Sequence, residues 1–67
     1  MTYREFKSKV SKAYPNAIIR FSQTEAQYAA EIKGSGLVLY VNVHSEAIYG
    51  MLNGVSIGRA YGVEASH

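Results

Sequence analysis

Between Thr2 and Tyr14 the apolar residues Tyr3, Phe6, Val10, Ala13 and Tyr14 recur at the i, i+3, i+7 spacing that lines one face of a helix. Arg4, Ser8, Ser11 and Lys12 fall on the opposite face. Thr2 followed by Glu5 spells a capping box, T-x-x-E, in which each side chain satisfies the other's backbone N–H. Pro15 ends the segment, because the residue before a proline is pushed out of the helical region. The pattern predicts a helix over residues 2–14, followed by a turn at Asn16.

From Ala17 the period changes from helical to two. It predicts strands over 17–23, 26–33, 37–43, 46–52 and 55–61, with turns at Thr24-Glu25, Gly34-Ser35-Gly36, His44-Ser45 and Asn53-Gly54. Asn-Gly is the strongest of these, since both central residues of a type I′ turn need positive φ. With two-residue loops, opposed residues share a sheet face. Leu52 then faces Val55, Gly50 faces Ile57, Val41 faces Ile48, Leu37 faces Leu52, and Phe21 faces Tyr28. One face collects Ile19, Phe21, Tyr28, Ala30, Ile32, Leu37, Leu39, Val41, Val43, Ile48, Leu52, Val55 and Ile57. The helix's apolar stripe should cover it. The expected fold is α+β: a single domain over 1–67, with an N-terminal helix packed on one face of a four- to five-stranded antiparallel meander.

The other face is mixed. Arg20, Ser22, Gln27, Glu31 and Lys33 suit solvent, while Val38, Tyr40, Tyr49 and Met51 form a contiguous apolar and aromatic patch. The pairing rule sets Tyr40 opposite Tyr49 and Val38 opposite Met51, with no second helix to bury them. The glycines at 50, 54, 58 and 62 also fit a helical packing stripe. Four interior glycines cost a helix about 1 kcal/mol each, which favours the hairpin. Residues 62–67 are expected to fray.

Size and composition sharpen this. A chain of 67 residues lies below the roughly 70–80 residues at which one core suffices, and such a core supplies only about 3–5 kcal/mol. Without cysteine there is neither a disulfide nor a thiolate zinc site, which leaves self-association as support. A cysteine-free chain also suits a reducing, cytoplasmic compartment. Charges interrupt TYREFKSKVSKAY every few residues, which fits neither a signal peptide nor a membrane span. Apolar residues at 48% against 18% charged make a folding composition rather than a disordered one. Six Tyr against two Phe favour half-buried faces and interfaces.

The candidate chemistry is sparse. His44 and Glu46 are the one His–carboxylate pair close in sequence, and without a pocket they read as turn and strand-start residues. His67 is a terminal residue, and two distant histidines make no metal site. Gly34-Ser35-Gly36 lies between strands, whereas a phosphate loop leads into a helix. No serine has a nucleophile context such as G-x-S-x-G. No cofactor, metal or small-molecule substrate is expected. Arg4, Lys7, Lys9 and Lys12 put four of the seven cations on the helix, a candidate phosphate-contacting surface, although a net charge of +2 is mild for that role.

The order of helix then meander resembles the cystatin-like layout, in which an antiparallel sheet wraps a helix. No inhibitory-loop motif of that family is present, so no residue role carries over. Short, cysteine-free and without motifs, the chain is also similar to small proteins encoded by phages and mobile elements, which implies an inhibitor of a larger host protein. Two functions follow as expectations. The first is a non-enzymatic interaction module, homodimeric or binding a protein partner through Val38, Tyr40, Tyr49 and Met51. The second is a nucleic-acid-binding protein using Arg4, Lys7, Lys9 and Lys12. An enzyme centred on His44 is the third and least supported.

Overall fold

The computed structural model describes residues 1–65. It contains helix α1 (Tyr3–Ala13), strands β1 (Ile18–Ser22), β2 (Gln27–Ile32), β3 (Leu37–Asn42), β4 (Tyr49–Leu52) and β5 (Val55–Arg59), and a short helix α2 (Tyr61–Glu64). The five strands form one antiparallel sheet in chain order. The expected α+β meander is the fold.

The capping box forms as its spelling requires. The Glu5 N–H donates to Thr2 Oγ1 (3.1 Å) and the Thr2 N–H donates to Glu5 Oε1 (3.3 Å). Tyr14 leaves the helical region at ψ 88° ahead of Pro15. Phe6 and Val10, both fully buried, are the two knobs that α1 presses into the sheet. They meet Ala30, Ile32, Leu39, Val41 and Ile48 in a core that Met1 and Val63 complete. Each large side chain so buried contributes about 1.5–3 kcal/mol. The Met1 ammonium is held at the core's margin by the Ser45 carbonyl (2.7 Å) and the Glu46 carboxylate (2.7 Å).

The register across the first four strands is the one the alternation dictates. Phe21 faces Tyr28, Ala30 faces Leu39, Leu37 faces Leu52, and Tyr40 faces Tyr49. The loops are longer than two residues at three of the four turns, with only Asn53-Gly54 tight. Pairing stays centred on Thr24-Glu25 and on His44-Ser45, whereas the glycine turn takes in Lys33 on one side and sets Ile32 opposite Leu37. Asn53 (φ 51°) and Gly54 (φ 82°) both take the positive φ of the tight hairpin turn.

Four expectations need correction. The fourth strand begins at Tyr49, not residue 46, so Val41 and Ile48 are not a ladder pair. The Ile48 backbone is taken instead by the Ala60 N–H, which donates to its carbonyl, and by Glu64 Oε2, which accepts from its N–H. Gly50 faces Gly58, not Ile57, because a bulge between Gly50 and Met51 leaves Ile57 as the extra residue of β5. Over the described residues the tail does not fray: residues 61–64 turn into α2, and Val63 is buried in the core. Lastly, α1 does not cover the whole inner face, since Phe21, Leu52, Val55 and Ile57 stay exposed.

The glycines at 58 and 62 make a paired test. Gly58 sits at φ +81°, where a side chain is strained, whereas Gly62 lies in α2 with open space around its Cβ position. Gly58→Ala should cost about 1–2 kcal/mol. Gly62→Ala should be neutral or stabilise by up to about 1 kcal/mol. In urea unfolding the midpoint should therefore fall for Gly58→Ala and stay unchanged or rise for Gly62→Ala.

Candidate interaction surface

Alternation places Val38 and Tyr40 of β3 beside Met51 and Tyr49 of β4, on the sheet face opposite α1. The two tyrosine rings stack at 6.1 Å between centroids and 27° between planes. Val38, Tyr40 and Met51 are half-buried by their neighbours in the sheet, and Tyr49 is 42% exposed. Among the described residues no helix covers any of the four. The sheet thus brings together all four residues expected to form a patch.

The bulge adds a feature that the alternation alone did not reveal. It brings Arg59 opposite Tyr49, so one cross-strand row runs Arg20, Ala29, Tyr40, Tyr49, Arg59. The tyrosine pair thus has Arg59 beside Tyr49 on one side and Arg20, beyond Ala29, at the far end of the row. Glycine within a strand pattern is a bulge signal, and Gly58 was the visible clue. The two arginines are not equivalent. Arg20 makes one long ion pair with Glu31 (3.7 Å) and is largely solvated. Arg59 makes a bidentate pair with Glu64, from Nε (2.9 Å) and Nη2 (2.7 Å), and lies 4.7 Å from the Tyr61 ring centroid.

The Glu64 carboxylate is a structural hub. It accepts from Arg59, takes the Ile48 N–H (3.0 Å), and belongs to a residue whose carbonyl receives Lys9 Nζ (2.8 Å). The Arg59 hydrogen bonds hold its pKa below the usual carboxylate range against the opposing effect of burial, with help from the Ile48 N–H. The same pair raises the Arg59 pKa. Glu64 thereby ties α2, β5 and α1 together.

The other candidates are placed as follows. The His44 N–H donates to Asn42 Oδ1 (2.9 Å) in a turn, and the Glu46 carboxylate is engaged by Met1, not by His44. His67 lies outside the described residues. In the Gly34-Ser35-Gly36 turn, Ser35 Oγ donates to the Ile32 carbonyl (2.9 Å) and accepts the Leu37 N–H (3.2 Å). That turn uses its polar groups to close itself. Among the described residues no group of three or more His, Cys, Asp or Glu could hold a metal ion, and no helix is long and apolar enough to cross a membrane. Of the four helix cations, Lys9 is drawn to Glu64 on one flank of α1, which leaves Arg4, Lys7 and Lys12 exposed without it.

On the inner face an apolar cleft of about 350 Å³ opens beside α1. Tyr14, Leu37, Leu39, Ile57, Ala60 and Val63 are among its walls. The Ile57 side chain lies directly over Gly50, where a Cβ would approach it to 3.0 Å. The bulge and this glycine together lay Ile57 across the sheet.

Comparison with protein-family models, with curated proteins and with solved structures finds no match.

The Glu64 hub should show itself in acid. A carboxyl whose pKa is lower folded than unfolded stabilises the fold above its unfolded pKa of about 4.3, and the contribution is lost as pH falls through the folded value. Glu5, lowered by its Thr2 hydrogen bonds, acts in the same direction. Urea midpoints should therefore fall on acidification below about pH 4.3, and Glu64→Gln should flatten part of that fall while lowering the midpoint at pH 7. An acid limb identical in Glu64→Gln and the native chain would contradict the assignment.

Proposed function

We propose that this chain is a non-enzymatic protein-interaction module that pairs with a second copy of itself through the outer sheet face. Val38, Tyr40, Tyr49 and Met51 are its anchors. The observation that supports this reading is the in-register Tyr40–Tyr49 stack, left without a covering layer at the centre of the sheet. Tyrosine brings large contact area at low entropic cost and is enriched where interfaces form. Two such faces pack about 10 Å apart, as in a sandwich.

Size favours the same partner. A stable pair buries about 800 Å² on each side, roughly a fifth of this chain's 4312 Å². One face of a chain with extents of 26 × 26 × 19 Å is of that order. Arg20, Gln27, Glu31, Asn42 and Ser56 around the patch would supply the polar rim that excludes water from such a centre. A cytoplasmic location fits a cysteine-free chain and is part of the same proposal.

Sedimentation equilibrium tests it directly. The native chain should show a concentration-dependent dimer, and Tyr40→Ser with Tyr49→Ser should weaken it by about a hundredfold while circular dichroism keeps the helix signal. A native chain that stays monomeric at high micromolar concentration would overturn self-pairing. So would a dimer that the double variant leaves intact.

A further inference from the structure

The two edges of the sheet are finished differently. The β5 edge carries the bulge at Ile57, has Gly58 at φ +81°, and is followed at once by α2. Bulges and interrupted strands are devices that blunt an edge against pairing. The β1 edge has neither. Its five residues run in unbroken register with β2, from Ile18 opposite Glu31 to Ser22 opposite Gln27. Among the described residues no backbone bond joins Ile18–Ser22 to any element other than β2. Alternate N–H and C=O groups of β1 therefore point outward.

The surroundings of that edge have a definite chemistry. On the inner side Phe21 is 52% exposed, and Tyr3 of α1 is 40% exposed. Both rings pack on Tyr28, at 5.3 Å and 5.6 Å, and form an aromatic shelf beside the edge. On the outer side stands Arg20, its side chain 70% exposed and only loosely paired with Glu31. Lys7, one helical turn beyond Tyr3, shares that flank of α1 and is exposed.

We propose that β1 is a docking edge for an extended segment of a partner protein in which apolar and acidic residues alternate. The segment adds a sixth, antiparallel strand by β-augmentation, and its backbone takes up the outward groups of β1. Its apolar side chains lie on the Phe21–Tyr3 shelf, and its carboxylates face Arg20, with Lys7 adding to the positive potential. A second copy of this chain fits the edge poorly in the one two-fold register that pairs all five residues of β1. The two-fold pairing that sets Ile19 against Phe21 also sets Arg20 directly against Arg20 of the copy, and like charges so placed repel. The β1 edge is thus a surface separate from the tyrosine face and is independent of whether that face self-associates.

The test uses two blocked peptides of roughly six residues, the usual strand length, one alternating valine with glutamate and one alternating valine with lysine. Amide spectra and hydrogen exchange of the full chain report where each one binds. The glutamate peptide should shift and protect the amides of Ile18–Ser22. The lysine peptide should bind about tenfold more weakly at low salt, with the gap closing as salt is added. Arg20→Glu, at a solvated position that leaves the fold intact, should reverse the preference. Tyr40→Ser with Tyr49→Ser should leave peptide binding unchanged, so failure of self-pairing and failure of this inference give different results. The proposal is overturned if β1 amides do not respond at millimolar glutamate peptide. It is equally overturned if β5 responds instead, or if both peptides bind alike.

Discussion

A single helix has to cover a sheet wider than itself. Five strands at about 4.8 Å spacing span roughly 19 Å, while a helix with its side chains is about 10–12 Å across. The knobs of α1, Phe6 and Val10, therefore settle over the middle strands, where Ala30, Leu39 and Val41 are fully or almost fully buried. Both margins of the inner face are left over. Phe21 is half exposed on the β1 side, and Leu52, Val55 and Ile57 are exposed on the β4–β5 side. The exposed apolar margins of the inner face follow from that mismatch of widths.

The chain adds a helix at one margin and not at the other. On the β5 side, α2 brings Val63 into the core, and the bulge with Gly50 lets Ile57 lie across the sheet. The Arg59–Glu64 pair and the Ile48 N–H fasten this corner. That fastening has a structural consequence for the outer face as well, because Arg59 is engaged by Glu64 while Arg20 at the other end of the same row remains solvated. The β1 side has no equivalent element. Its aromatic residues are propped by one another through Tyr28 rather than covered.

What the sequence made legible is what depends on local rules. The capping box, the stop at Pro15, the Asn53-Gly54 turn and the register of four strands all follow from residue chemistry and the period of two. The register held around Thr24-Glu25 and His44-Ser45, because unpaired residues shared equally between the two strands leave the pairing sum unchanged. The tyrosine patch was legible for the same reason, since faces follow from parity. The misses are non-local. Residues 46–48 alternate like a strand, yet Ile48 gives its backbone to Ala60 and Glu64, and that competition needs the chain's far end to be in place. The bulge at Ile57 breaks parity at a single position, and its clue, a glycine within a strand, does not say which residue becomes the extra one. Glu64 fell in the stretch expected to fray, because its partners Ile48 and Lys9 are remote in sequence.

The sheet therefore presents two kinds of unmet demand, and they call for different partners. The outer face lacks side-chain burial: its backbone groups are already paired within the sheet, and only the ring surfaces of Tyr40 and Tyr49 and the flanks of Val38 and Met51 remain to be covered. A flat, non-directional contact with another face satisfies that. The β1 edge lacks backbone partners, which are directional and are met only by an extended chain at hydrogen-bonding distance. Because the two demands differ in kind, an occupant suited to one does not satisfy the other. In the two proposed roles, the same small domain would hold a copy of itself on its face while leaving its edge open to a strand.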